Sequence, residues 1–270
     1  ALSQLSYGPI RTRPDATLLA ALCQRCRRVS IRLSVIIPVR NECRLILGTL
    51  QRLQPMREQG AELLLVDGDS SDGTVDIARP WVDQVLPSPS GRARQMNLGA
   101  EAASGEVLWF LHGDTLAPSN ADLLLNRALS DGGQWGYFDL RLSAPGTGYR
   151  LVEWFMNRRV RLTAVVTGDH GVFVRRDAFT IVGGFPEIAL MEDIELSSRL
   201  RALSAPRRVP ATLVTSSRKW EREGLVRTVI RMWSVRSAYF LGVKPDALAR
   251  WYYRDLVPSD PIEPVGRCEE

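Results

Sequence analysis

The sequence predicts an α/β fold: an open, mostly parallel sheet with helices on both faces. Three observations lead there. Short apolar, β-branched runs alternate with segments of helical period from residue 33 to residue 129, and such alternation builds crossover units whose strands lie parallel. Three of the runs end in polar or acidic clusters, namely Asn41 with Glu42, residues 67–72, and His112 with Asp114. Open sheets of this kind bind ligands at the carboxyl ends of their strands. After Gly132 the alternation breaks, which predicts a mixed second half.

The elements follow in order. Residues 33–38 (LSVIIP) read as a buried strand stopped by proline. Residues 45–53 have helical spacing, with an expected stop near Pro55. Residues 61–66 (AELLLV) give a second strand, which runs into the polar turn 67–74 and a helix through Ala78. Residues 83–86 form a short third strand and 91–103 a helix with a basic first turn. Residues 106–111 (EVLWFL) are the fourth strand, and 119–129 are helical. Beyond Gly132, residues 137–142 alternate like a strand with one exposed face. Residues 151–162 are amphipathic and helical, and 171–174 are a short strand. Gly183, Gly184 and Phe185 make a turn. Residues 192–203 are a helix with acids first and arginines last, as the helix dipole favours, and 209–216 are a final strand.

The 270 residues suit one large α/β domain with appendages. A hydrophobic fraction of 45% supports a sizeable core, and 24% charged residues argue against disorder. The net charge of +5 and a pI near 9.3 admit phosphorylated substrates, an anionic membrane surface or nucleic acid. A nucleic-acid binder needs a basic stripe with aromatic platforms. The basic residues here are scattered, so no nucleic-acid partner is expected. Cys23 and Cys26 form one C-x-x-C, but no second pair follows, and His112 and His170 are the only histidines, too few for a structural zinc site. This usage suits a reducing cytoplasm. No apolar run reaches the length of a membrane span. Residues 1–30 lack the plan of a signal peptide and read as an extension. The expected divisions are then a catalytic domain at 31–221, a basic amphipathic helical segment at 222–257 and a loose tail at 258–270.

Several residues carry possible chemistry. Asp114, just past a buried strand, suits Mg²⁺ or Mn²⁺, which bind few protein oxygens and keep positions for substrate phosphates; a turn or helix-cap aspartate would look the same. Residues 67–74 could read a ribose or base, or could be plain turn chemistry. Glu192 and Asp193 could hold a general base, or could simply favour a helix N-terminus. Arg92 and Arg94, at a helix start, and Arg218 with Lys219 and Trp220 could clamp a diphosphate or form solvated faces. His170, between Asp169 and Gly171, is an acceptor-site group or a satisfied loop histidine.

Taken in order, these motifs resemble the family 2 glycosyltransferases with their GT-A fold. The resemblance runs through Ser34-Val35-Ile36-Ile37-Pro38-Val39-Arg40-Asn41-Glu42, residues 66–74 (VDGDSSDGT), His112-Gly113-Asp114, Arg175-Arg176, Gly183-Gly184-Phe185 and Glu192-Asp193 with Glu195 and Arg199. Ser90-Gly91-Arg92-Ala93-Arg94-Gln95-Met96-Asn97, Leu111-His112-Gly113-Asp114-Thr115 and Gly168-Asp169-His170-Gly171 look most like a bacterial subgroup of small transferases that includes carotenoid-acid glucosyltransferases. The resemblance implies a Rossmann-like nucleotide-sugar half and a mixed acceptor half. Pro38, Val39, Glu42, Asp67 and Asp69 would line the nucleotide pocket, with Arg92, Arg94, Asn97, His112, Gly113, Arg218, Lys219 and Trp220 completing the donor site. Asp114, with His112, would hold Mg²⁺ or Mn²⁺ against the diphosphate. Asp193, beside Glu192, would deprotonate the acceptor, and Asp169, His170 and Gly171 would contact it. The implied activity is inverting transfer from a nucleoside-diphosphate sugar, UDP foremost, to a hydroxyl or carboxyl of a small or lipid-like acceptor.

Three departures stand out. Gly68 replaces a base-reading aspartate of many relatives, His112 replaces the first aspartate of D-x-D, and Ser216 with Lys219-Trp220 only partly matches the Q-x-x-R-W of processive synthases. A sugar-phosphate nucleotidyltransferase would need a glycine-rich loop after the first strand, and Val39-Arg40-Asn41-Glu42 has no glycine. Residues 225–243 (LVRTVIRMWSVRSAYFLGV) interleave apolar residues with Arg227, Arg231 and Arg236. They read either as a basic helix lying on a membrane surface, which would place the protein at the inner face of the cell membrane, or as a helix packed on the domain with its arginines outward. The rival to an enzyme is a catalytically silent protein that keeps the fold as a membrane-surface interaction module.

Overall fold

A computed structural model describes residues 31–254. The expected extension 1–30 and tail 258–270, with Cys23, Cys26 and Cys268, lie outside them. β1 (Leu33–Val39) is buried along nearly its whole length. Alternate residues serve opposite faces: Val35, Ile37 and Val39 join one core cluster, and Ile36 joins the other. A strand covered on both sides has no polar face to show, so its sequence reads as a continuous apolar run.

α1 (Ile46–Glu58) packs Ile46, Leu50 and Leu53 into the first cluster. The expected stop at Pro55 does not occur, because the helix carries Pro55 inside it. Met56 is fully buried, and Arg57 reaches Asp83 at 2.9 Å and the Val82 carbonyl at 3.0 Å. These anchors outweigh the backbone bond that proline cannot donate. β2 (Glu62–Asp67), α2 (Thr74–Ala78), β3 (Gln84–Pro87), α3 (Arg92–Ala102) and β4 (Val107–Phe110) complete the first half. A Cβ at Gly99 would meet Ile36 Cγ2 at 2.4 Å. The missing side chain lets α3 lie directly on β1, with the first turn of α3 at the end of the sheet.

The second half contains β5 (Thr115–Leu116), α4 (Ala121–Leu129), β6 (Trp135–Leu142), α5 (Thr147–Thr163), β7 (Phe173–Arg175), α6 (Arg176–Ile181), α7 (Glu192–Leu203) and β8 (Arg207–Thr215). β6 shows the expected alternation from Phe138 onward, with Leu140 and Leu142 buried, Asp139 half-buried and Arg141 exposed, whereas Trp135, Gly136, Tyr137 and Phe138 are all buried. The strand is interior, between β7 and β8, with Trp135 in one core cluster and Phe138 in the other. One eight-stranded sheet runs β3-β2-β1-β4-β7-β6-β8-β5. β3, β2, β1 and β4 are parallel, as are β6 and β8, while β7 pairs antiparallel on both sides and β5 antiparallel to β8. The parallel half and the mixed half meet at β4–β7.

Three helices close the described chain: α8 (Arg218–Glu223), α9 (Leu225–Phe240) and α10 (Pro245–Arg254). α9 departs from the reading of a packed helix with its arginines outward at Arg231, which is buried, while Arg227 is exposed and Arg236 half-buried. Its buried face is Thr228, Arg231 and Val235, and Arg231 pairs with Glu223 of α8. Val226, Ile230 and Trp233 are 69%, 61% and 62% exposed. The helix thus buries one arginine with Val235 and leaves several apolar side chains outward. No helix among the described residues is long and apolar enough to cross a membrane.

Candidate active site

A cleft of about 1200 Å³ opens at the carboxyl ends of β1 and β4, beneath α5, α9 and α10. Pro38, Val39, Glu42, Arg92, His112, Gly113, Asp114, Asp169, Glu192, Asp193, Arg218, Lys219 and Trp220 line it. They come from six stretches of the sequence, which the fold gathers in one cleft.

The turn after β1 is clasped to residues 67–74. The Asn41 N–H donates to Ser70 Oγ at 2.9 Å and the Glu42 N–H to Thr74 Oγ1 at 2.8 Å. The Asp72 carboxylate accepts from the Cys43 and Thr74 N–H groups, both at 3.1 Å. Burial would raise the Asp72 pKa, but these bonds outweigh it and hold the group below its ordinary value. Much of the motif is therefore scaffold. Asp69 is exposed with φ 70 and does not line the cleft. Asp67 is not in the cleft wall either, yet its Oδ1 is buried with no hydrogen-bond partner.

Gly68 acquires a physical reason here. A Cβ there would lie 2.8 Å from Gln95 Nε2. Gln95 uses that space to donate to the Val39 and Val66 carbonyls, each at 2.8 Å, tying the ends of β1 and β2 together. Replacing Gly68→Asp, which restores the common family residue, is expected to displace Gln95 and lower unfolding free energy by roughly 1–3 kcal/mol in a denaturant titration. An unchanged midpoint would show that Gln95 yields freely.

Around Asp114 the electrostatics are coupled. The Arg218 guanidinium lies 2.6 Å from Glu42 Oε2 and 3.5 Å from Asp114 Oδ2. Burial is the main cause of a raised Glu42 pKa, with Arg218 opposing it. A single carboxylate with substrate phosphates and water is an ordinary set for Mg²⁺ or Mn²⁺, so Asp114 fits such an ion. His112 stands beside Asp114 in the cleft lining. Its Nδ1 faces Asp169 Oδ1 at 3.2 Å, and its Nε2 is buried without a partner. A Cβ on Gly168 would sit 2.5 Å from that nitrogen. Among the described residues no three His, Cys, Asp or Glu side chains gather as a metal cluster.

On the opposite wall, Met191, at φ 74, ends the approach to α7 and presents Glu192 and Asp193. A non-glycine residue in this region stores strain of the kind found at functional sites. Asp193 Oδ2 accepts the Gly168 N–H at 2.8 Å, and Oδ1 accepts the Ile194 N–H at 2.7 Å. Burial first, then the charge of Asp193, raises the Glu192 pKa against the pull of Arg92. Burial lowers the Arg92 pKa, but Glu192, Asp169 and Asp193 outweigh that and hold it above its ordinary value. Lys219, 4.2 Å over the Tyr252 ring, is pulled down to about 8, chiefly by burial.

Four further expected contacts do not line the cleft. Arg94 points outward and pairs with Glu187 at 3.1 Å. Asn97 gives both amide atoms to the Phe185 backbone, at 2.8 and 2.9 Å. The Gly171 carbonyl accepts from Trp109 Nε1 in the core. His170 is fully buried, with Nδ1 3.0 Å from Thr167 Oγ1 and Nε2 without a hydrogen-bond partner. Burial, then Arg159, lowers its pKa from 6.5 to about 4. The unfolded chain therefore binds more protons than the folded one between those values. Stability is expected to fall as pH drops from about 6.5 to about 4, by up to roughly 3 kcal/mol. His170→Gln should flatten that part of the unfolding profile, and an unchanged slope would refute the assignment. Residues not anticipated from sequence also line the cleft, among them Gln95, Phe155, Arg159, Met191, Trp233 and Arg236.

The sheet order and the cleft at its parallel edge are those of the GT-A fold. Mannosyltransferase PcManGT from Pyrobaculum calidifontis, solved in complex with GDP-Man and Mn²⁺, aligns over 93% of this chain and 74% of its own, with TM-score 0.57 at 18% identity. The Glycosyl transferase family 2 model matches residues 34–152, which places that stretch among the family 2 glycosyltransferases. Glycosyltransferase AglE of Haloferax volcanii is 28% identical over 178 residues, 57% of this chain and 55% of that protein. An uncharacterized glycosyltransferase of Haemophilus influenzae is 30% identical over 174 residues, 58% of this chain and 66% of that protein. The chain thus spans between about half and two thirds of the length of these relatives.

Proposed function

We propose that the chain transfers a sugar, with inversion, from a nucleoside-diphosphate donor to a hydroxyl or carboxyl of a lipid-like acceptor, with Mg²⁺ or Mn²⁺ held at Asp114. The observation that carries this reading is the meeting, in one cleft, of Asp114, the cations Arg92, Arg218 and Lys219, and the acids Glu192 and Asp193. The nucleoside would lie against Pro38 and Val39, with the unpartnered Asp67 Oδ1 as a nearby acceptor for a ribose or base donor. The diphosphate would extend toward Asp114 and compete with Glu42 for Arg218. A bound ion there supplies charge stabilisation of the leaving diphosphate.

Asp193 takes the acceptor proton as the acceptor oxygen attacks the anomeric carbon. The bond from that carbon to the diphosphate oxygen breaks, and the nucleoside diphosphate leaves with the negative charge. Arg92, Arg218 and Lys219 are placed to offset it. No enzyme nucleophile is required, because the acceptor attacks directly. The apolar surface supports a lipid-like acceptor and contact with a membrane surface. Trp154 and Phe155 of α5 are exposed, as are Ile230 and Trp233 of α9, and Phe155 and Trp233 also line the cleft. Soluble monomers rarely leave such a patch uncovered.

The test is to incubate the protein with Mn²⁺, a lipid extract and a panel of α-linked UDP-, GDP- and dTDP-sugars, and to follow released nucleoside diphosphate. Release from one donor class, stopped by EDTA, is expected. Release from none of them would contradict the proposal.

A further inference from the structure

We infer that the acceptor half of the cleft holds a dedicated oxyanion subsite, formed by Arg159 of α5 and Arg236 of α9, for a phosphate or carboxylate group on the acceptor. This rests on the glycosyltransferase reading and names the chemistry of its second substrate.

Both arginines line the cleft and both are only partly exposed. The charge of Arg236 acts on Arg159. Burial, then Arg236, pulls Arg159 down to about 10, and burial also lowers Arg236. Neither has a carboxylate within 4.0 Å among the described residues, unlike Arg150, Arg199 and Arg218, which all have ion-pair partners. The hydrogen bond given for Arg159 is to the Val165 carbonyl at 3.2 Å, and Arg236 lies over the Phe240 ring at 5.9 Å. Asp193 acts on both guanidiniums, and Asp169 on Arg159, without pairing with either.

Two like charges held together in a partly desolvated wall oppose folding unless something offsets them. Planar guanidiniums with donors to spare match the oxygens of phosphate or carboxylate. The position separates this pair from the diphosphate site: Arg218 pairs with Glu42 and approaches Asp114, whereas Arg159 and Arg236 sit within electrostatic reach of Asp193. Phe155 and Met156 on α5 and Trp233 and Phe240 on α9 also line the cleft. An anionic group on Arg159 and Arg236 would place an attached apolar chain among them, with its reacting oxygen toward Asp193.

The experiment uses the full chain, titrated calorimetrically in EDTA with octyl phosphate, octyl glucoside and inorganic phosphate, and separately with UDP and GDP in Mn²⁺. Octyl phosphate is expected to bind more tightly than octyl glucoside. The double variant Arg159→Gln/Arg236→Gln should weaken octyl phosphate about tenfold or more while nucleotide affinity stays within about twofold. Arg159→Lys/Arg236→Lys, which keeps the charge, should retain most of the binding and guards against a folding defect. Inorganic phosphate binding as well as octyl phosphate, with the same loss in the glutamine variant, would assign the subsite to a soluble anion; much weaker inorganic phosphate would assign it to a lipid headgroup. Equal binding of the two octyl compounds, or no loss in the glutamine variant, overturns the subsite. Loss of nucleotide binding in the wild-type protein would instead overturn the donor reading, and leaves the arginine result to be judged on its own.

Discussion

Asp193→Asn is expected to reduce turnover by roughly 10²–10⁴-fold, the usual contribution of a positioned general base, with nucleotide affinity close to wild type. The carboxylate is fixed by two backbone N–H groups, from Gly168 and Ile194, so its direction into the cleft does not depend on a flexible rotamer. Asparagine can keep one of these bonds, but its amide nitrogen must then face an N–H donor, so a modest fall in thermal midpoint should accompany the loss. The distinguishing readout is the split between kcat and donor affinity. A purely structural role would lower both in step with stability, whereas a base removes turnover alone. A loss of turnover below tenfold would move the proton-accepting role to Glu192, whose buried carboxyl has a raised pKa.

Asp114→Asn is expected to abolish the metal-dependent part of nucleotide binding and to lower turnover on the order of 10²-fold or more, since an ion on a leaving diphosphate contributes several kcal/mol. Asp114 follows β4, and Gly113 allows the close approach that puts it there: a Cβ on Gly113 would lie 2.8 Å from Val39 Cγ1. Arg218 approaches both Asp114 and Glu42. The asparagine variant therefore removes one of two anionic partners and leaves the Glu42–Arg218 pair to hold the wall. Folding should be nearly unaffected, and nucleotide titrations with Mn²⁺ and with EDTA should become alike. Retained metal dependence would place the ion elsewhere.

The parallel half was legible because its signals are local. β1, β2 and β4 are apolar runs that end in turn chemistry, and both halves of each message lie within a few residues. Asp114, Glu192 and Asp193 were legible for the same reason, each standing at the end of an element. What escaped depends on partners remote in sequence. His112 stands beside Asp114 in sequence, but the partner of its Nδ1, Asp169, comes from a segment after α5. Asn97 looked like part of a basic helix start, yet it clamps Phe185 across 88 residues of chain. Pro55 signals a helix end only where nothing anchors the following turn, and Met56 and Arg57 anchor it. Arg231 turns inward because an amphipathic pattern shows which residues share a face and not which face meets the domain; its partner Glu223 decides that. Arg159 and Arg236 carry no pairwise signal, since they belong to helices whose approach only the fold reveals.

The central claim is that Asp114 and the cations around it form a metal-assisted nucleotide-diphosphate site. The most direct measurement is calorimetric titration of UDP, GDP and dTDP into the purified protein, once with Mn²⁺ and once with EDTA. Saturable binding of one nucleotide that strengthens with Mn²⁺ in the wild type and not in Asp114→Asn is the predicted result. No binding of any of the three in either condition would contradict the account and favour a protein that keeps the fold without the transfer chemistry.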